Sequence, residues 1–325
     1  MTTSSLRRAD PGTAGAGLTR SSARPRAGGW LTSGGPQALG LRLAQPLVRP
    51  LPRRLRYLLA DIGGSGAFAL LPRRARRARA NYQLFTGGAL APASRLARGA
   101  FRNYARTVLD FLILERLLEE LKAAPGGIPL QPLVSALGLK RGAIVVTPHL
   151  GNWDLGAAAV ATCGTPVHAI TDPFGPPLVD RLIRDSRERL GVRVIPMGGD
   201  SVKSALRALR RNEILLLACD IDKGGNGVDV SFLGRELKLP AGPATLSVRT
   251  GAPLIPGYVR RRRDGSHEAR LLPALERPKE GDAQAQAQAL TQAIATCFER
   301  LIREEPEQWF AFHSLGLPHP GGSAR

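Results

Sequence analysis

Cysteine is scarce in this chain: Cys163, Cys219 and Cys297 are the only three among 325 residues. With no Cys-x-x-Cys pair and five scattered histidines, the composition argues against a disulfide framework and against a zinc site. It suits free thiols in a reducing compartment. Aromatic residues make up only 5%, and no stretch has the interleaved aromatic and basic pattern of a nucleic-acid platform. Lysine is absent from residues 1 to 109, and acids there are limited to Asp10 and Asp61, against nineteen arginines. Long hydrophobic runs are missing too. The longest weakly polar run, YLLADIGGSGAFALLP at 57–72, contains Asp61 and three glycines and falls short of the roughly 20 apolar residues that a spanning helix needs. Its GGSGA segment fails the G-x-S-x-G pattern, which speaks against a hydrolase with a nucleophile elbow.

What is present is charge of one sign. The chain carries a formal net charge of +20, concentrated at its start, and such a field seeks polyanions or an anionic lipid surface. Residues 1–36 are rich in Ser, Gly, Pro and Arg without hydrophobic period and read as a disordered basic tail. Arg7 and Arg8 are not followed by an apolar segment, so no export signal is expected; an organellar transit peptide shares this composition. Residues 37–80 alternate Leu-rich clusters with arginines, a pattern of helices that lie in a bilayer interface. A soluble helical hairpin with a solvated basic face is the bland alternative.

From residue 81 to 318 a catalytic-sized domain is expected. The stretch ARGAFRNYARTVLDFLILERLLEELKAA, 97–124, has apolar positions at helical spacing and reads as one helix that ends at Pro125-Gly126-Gly127. After it strands and helices alternate: GAIVVTP, DLGAAAVATC, TPVHAIT, LVDRLIRDSRERLG, VRVIPM, SVKSALRALRRN and EILLLACDID. PAGPATLSVRTGAPLIP reads as a helix that feeds a strand. EARLLPAL is a further strand candidate, and the last long helix runs through QALTQAIATCFERLIREEP. This order implies an α/β fold with a mixed, largely parallel sheet flanked by helices. Ligands in such sheets gather beyond the carboxyl ends of the strands, where His149 and Asp220 both fall.

TPHLGNWDLG, 147–156, puts His149 at a strand end and Asp154 near the next helix start. A turn at Gly151-Asn152 would let Asp154 accept the Nδ1 proton of His149 and leave Nε2 as a base. The same helix start offers backbone N–H groups to a developing oxyanion. The alternative is a structural loop histidine with Asp154 as a helix cap. Asp220 and Asp222 end a strand, and a Gly-rich turn separates them from Asp229. That cluster reads as turn chemistry, as support for a substrate or, by its D-x-D pattern, as a metal site. Arg187 and Arg189 read either as phosphate contacts or as a solvated face.

PHLGNWDLG resembles the His-x4-Asp/Glu signature of glycerolipid-type acyltransferases, and within them the branch of lipid A late acyltransferases and phosphatidylinositol mannoside acyltransferases. AFRNYARTVLDF, RLIRDSRERLGVRVIP, ACDIDKGGNGVDVSFLGRELKLPAGPATLSVRTGAPLIP and EPEQWFAFH resemble further stretches of that branch in the same order, over about residues 40–315. Asp154 departs from the Glu usual in the lipid A enzymes. The resemblance implies transfer of an acyl group from acyl-CoA or acyl carrier protein to a lipid hydroxyl. His149 would be the general base, oriented by Asp154, and Asn152, Asp220, Asp222, Asp229 and Arg187 would support substrate. No metal and no cofactor beyond the acyl co-substrate are implied. The expected acceptor is a phosphatidylinositol mannoside-like or lipid A-like glycolipid, met at the cytoplasmic face of the cell membrane by a peripheral or monotopic enzyme. No nucleic-acid partner is expected. The competing reading is a non-catalytic basic protein on the same fold that binds lipid or nucleic acid.

Overall fold

Alternation of apolar residues along one short strand organises the centre of the molecule. In the computed structural model, which describes residues 34–222, 227–313 and 315, β1 (Ala143–Thr147) is buried along its whole length. Successive side chains point to opposite faces, so Ile144 and Val146 enter the larger core cluster while Ala143 and Val145 enter the cluster on the other face. A strand apolar on both faces belongs in the middle of a sheet covered by helices on each side. The remaining strands are β2 (Val167–Thr171), β3 (Val192–Pro196), β4 (Ile214–Ala218), β5 (Val228–Phe232), β6 (Arg235–Leu239), β7 (Leu254–Arg261) and β8 (His267–Leu271). Six of them form one sheet in the order β3-β2-β4-β1-β7-β8. Every pair in it is parallel except β7–β8. β5 and β6 form a separate antiparallel hairpin that the sequence reading did not separate from its Gly-rich turn.

Helices α1 (Gly35–Val48), α2 (Arg53–Leu70) and α3 (Pro72–Gln83) open the described chain. α1 begins within the last two residues assigned to the tail; residues 1–33 lie outside the described residues. The boundary expected at residue 80 falls inside α3, and residue 318 is also outside the described residues. The single helix expected over 97–124 is two: α4 (Leu90–Phe111) and α5 (Leu114–Ala123). Between them Leu112 and Ile113 are both buried, and the bend lets them join α5 in one core cluster. The other helices are α6 (Gln131–Gly138), α7 (Trp153–Ala161), α8 (Pro177–Arg189), α9 (Ser201–Arg210), α10 (Gly242–Thr250) and α11 (Ala283–Glu304). α7 is apolar nearly all round, as a helix must be when it packs on two sides. Ala157 and Val160 meet the sheet, whereas Leu155, Ala158 and Ala159 meet α5.

The opening helices are fastened to this body by buried polar groups. Asp110 of α4, fully buried, accepts from Arg261 of β7 at 2.7 Å and from Tyr57 of α2 at 3.1 Å. His267 lies 3.3 Å from it and Arg56 3.9 Å. Burial alone would raise the Asp110 carboxyl, but the neighbouring Arg261 and His267 hold it below its ordinary range. No helix among the described residues is long and apolar enough to cross a membrane.

Candidate active site

Register in a parallel pair decides which strand ends meet. β1 and β4 are paired from Ala143↔Ile214 to Thr147↔Ala218. His149 and Asp220 each stand two residues past that last pair, on adjacent strands only about 4.8 Å apart. The structure closes the gap with hydrogen bonds: His149 Nδ1 lies 2.6 Å from Asp220 Oδ1, and the His149 backbone N–H donates to the same oxygen at 3.0 Å. The other carboxylate oxygen accepts from Trp309 Nε1 at 2.8 Å. Asp220 and Trp309 are buried, while 28% of the His149 side chain remains accessible.

Burial of Asp220 would by itself favour the neutral acid. The charge of His149 and the three hydrogen bonds, from its ring, its backbone and Trp309, outweigh that effect and hold the carboxyl below its ordinary range. Its neighbour Cys219 is driven the other way. Burial first, then the Asp220 charge, push the thiol well above its ordinary value, so it stays protonated and is a poor nucleophile.

The expected contact between Asp154 and His149 is not made. Asp154 lies in the first turn of α7 and accepts from Arg187 of α8 at 2.7 Å, with both side chains largely buried. The physical reason is the path of the loop. The Gly151 N–H donates to Gln308 O and the Asn152 N–H to Val259 O, each at 2.9 Å, which pins the turn against β7. Gly151 has φ +66°, and a Cβ there would sit 1.9 Å from Val259 O, so only glycine fits. Asn152 caps α7 by accepting from Leu155 N at 2.9 Å. Three backbone donors once open to an oxyanion are thus spent on Gln308, Val259 and the Asn152 side chain. Arg187 is an ion-pair partner rather than a solvated face; Arg189 is exposed.

The acidic cluster separates. Asp220 joins His149, Asp222 accepts from the Gly227 N–H at 2.9 Å across the turn, and exposed Asp229 pairs with Lys238 across the β5–β6 hairpin. No group of three metal-binding side chains forms among the described residues.

Trp309 was legible only as part of a family-like ending. Its segment passes back along the loop that follows β1: Phe310 N donates to His149 O at 2.8 Å and Leu150 bridges Trp309. Aromatic edges continue outward. Trp153 lies 5.6 Å from the His149 ring and 5.7 Å from Phe310, which in turn meets Tyr104 at 5.3 Å. Beneath Trp153, an apolar crevice opens between α7 and the sheet, lined by Val145, Thr147, Gly156, Val160 and Leu216 among others.

A buried Asp hydrogen-bonded to a strand-end His beside an apolar crevice is an arrangement able to support general-base chemistry. Residues 40–315 match the bacterial lipid A biosynthesis acyltransferase family. The chain belongs to that family and is an acyltransferase. It is 32% identical over 222 residues to the phosphatidylinositol mannoside acyltransferase of Mycolicibacterium smegmatis, covering 66% of this chain and 70% of the relative. It is 33% identical over 198 residues to the phosphatidylinositol mannoside acyltransferase of Mycobacterium tuberculosis (strain CDC 1551), and there the match spans 60% of each chain.

Proposed function

We propose that this protein transfers a fatty acyl group from the thioester of acyl-CoA or acyl carrier protein to a hydroxyl of a membrane glycolipid, with His149 as general base and Asp220 as the group that orients it. The observation that carries the reading is the 2.6 Å contact between His149 Nδ1 and buried Asp220. With Nδ1 committed, Nε2 is the ring nitrogen left to take a proton. It removes the proton of the acceptor hydroxyl as that oxygen attacks the thioester carbonyl carbon. The C–S bond then breaks, and the imidazolium returns the proton to the departing thiolate. Asp220 stabilises the imidazolium between the two steps without taking its proton.

The acceptor we favour is a mannosylated phosphatidylinositol, in keeping with the names of the two relatives. It is met at the cytoplasmic surface of a bilayer through the helices at 35–83. Incubation of the purified protein with radiolabelled acyl-CoA and vesicles that carry glycosylated phosphatidylinositol tests the reading. Label should appear in the glycolipid with wild type and not with His149→Ala. Label that stays in the thioester with both proteins would favour the non-catalytic lipid-binding alternative.

A further inference from the structure

The helix α3 carries five arginines that no described ion pair uses, and four of them, Arg73, Arg74, Arg76 and Arg77, are exposed. They are not equivalent. Side chains on a helix turn by about 100° per residue, so the buried residues Ala75, Ala78, Asn81 and Tyr82 define one inward face. Arg79 flanks that face on one side, where its guanidinium lies 4.6 Å from the Phe68 ring centroid. Arg77 flanks it on the other, one turn before Asn81, and Arg74 lies a further turn back, nearly in line with Asn81. Asn81 Nδ2 donates to Ala311 O at 2.7 Å and His313 O at 2.8 Å. Tyr82 donates to Pro306 O at 2.8 Å and packs edge-on to Trp309. The Arg74–Arg77 edge is therefore on the side of α3 that Asn81 turns toward the segment carrying Trp309, Phe310 and Phe312 past His149. Arg73 and Arg76 turn away from it.

A second line of contacts brings this edge to the mouth of the site. Tyr104 packs on both Phe310 and Phe312, and Phe310 packs on Trp153 beside His149. Burial raises the Tyr104 hydroxyl, and the Arg74 charge opposes that rise. On the far side of Trp153, Asp154 is already neutralised by Arg187. Arg74, exposed and in no described ion pair, is thus a cation that acts on Tyr104 of this rim, and Arg77 stands one turn further along the same edge of α3.

We propose that Arg74 and Arg77 form a phosphate-binding edge at the rim of the site, which takes the phosphodiester of an anionic lipid acceptor and holds its sugar hydroxyl over His149. The proposal rests on the acyl-transfer reading for its purpose, but the binding edge is testable apart from it. Guanidinium groups suit a phosphodiester because they present paired donors in a plane. A phosphate fixed at the rim also explains why a lipid that stays anchored in the bilayer can present a hydroxyl to a base recessed behind an aromatic wall.

The experiment compares full-length wild type with R74Q/R77Q and with R73Q/R76Q, which remove the same charge from neighbouring positions. Calorimetric binding of soluble short-chain phosphatidylinositol should weaken about tenfold or more in R74Q/R77Q and less than about twofold in R73Q/R76Q. Inorganic phosphate should compete poorly. In turnover, R74Q/R77Q should raise KM for glycosylated phosphatidylinositol while KM for a phosphate-free alkyl mannoside and for acyl-CoA stays within about twofold. Equal weakening by both double variants would reduce the edge to general surface attraction and overturn the proposal. So would a rise confined to acyl-CoA, which would assign the edge to the donor, or competition by free phosphate as strong as by the lipid. Lipid binding that follows this pattern in a protein that transfers no acyl group would sink the acyl-transfer reading and leave the phosphate edge standing.

Discussion

The opening helices and the sheet use the same apolar residues to opposite ends. In β1 and over Ile214, Leu215 and Leu216 of β4, Ile, Val and Leu are packed out of water almost completely. In α1, Leu39, Leu43 and Leu47 recur at four-residue spacing and are exposed; in α2, Leu58, Leu59 and Ile62 are too. Ten of the sixteen exposed large apolar side chains among the described residues lie between 39 and 90. Single exposed leucines need no explanation, but a run of them along consecutive helices beside unpaired arginines marks an interaction surface. The other faces of these helices are firmly built in, through Tyr57 to Asp110 and through Asn81 to the chain near Trp309. The lesson is that this arm is not a detachable anchor. One face belongs to the enzyme core, and the other presents exposed leucines together with basic side chains, the pattern of a helix suited to a bilayer interface.

The sharpest break in the comparison is chemical, because the sheet side should hold all the catalytic power. His149→Ala should lower turnover by ~10²–10⁴-fold while thermal unfolding stays close to wild type, since the ring is partly exposed. A variant with more than about a tenth of wild-type activity would remove His149 from the mechanism. Asp220→Asn should come next, because the amide loses charge stabilisation of the imidazolium. Asp154→Asn should cost less than Asp220→Asn, as it loosens the pair with Arg187 but leaves His149 oriented. The reverse order would restore Asp154 as the partner.

Asp110 tests the seam between the two regions. Removing one member of a buried ionic cluster costs ~3–5 kcal/mol, so Asp110→Asn should lower the unfolding midpoint strongly. The folded-state pKa of Asp110 is depressed, so its stabilisation is present above the unfolded value of ~4 and fades as pH falls through the lower folded value. Wild type should therefore lose its advantage over Asp110→Asn on acidification. A difference in midpoint that is constant from pH 7 to pH 3 would contradict this.

The smallest expected effect lies on the outer face. Replacing Leu58 and Ile62 by Ser should leave the unfolding free energy within about 1 kcal/mol of wild type yet reduce flotation with anionic vesicles. High salt should weaken the binding of wild type without abolishing it, because the apolar part survives screening. Recovery with vesicles that is unchanged by the two substitutions would mean that the exposed leucines serve another partner.

Much of this was legible in the chain. The periodicity of AIVVT and its neighbours, the punctuation by Gly and Pro, and the His-x4-Asp spacing determined an α/β sheet with His149 at a strand end, because those signals act within a few residues. Leucine and arginine spacing over 37–80 likewise determined an amphipathic helical arm. What only the tertiary structure decided was which carboxylate meets which partner. Asp154 is five residues from His149 yet faces Arg187, and Asp220 is 71 residues away yet lies at hydrogen-bond distance. The bend between α4 and α5 and the place of Trp309 under Asp220 were decided in the same way. Local spacing specifies backbone form, whereas the pairing of side chains depends on strand register and on the loop path that Gly151 permits, and both are set by packing across the whole sheet.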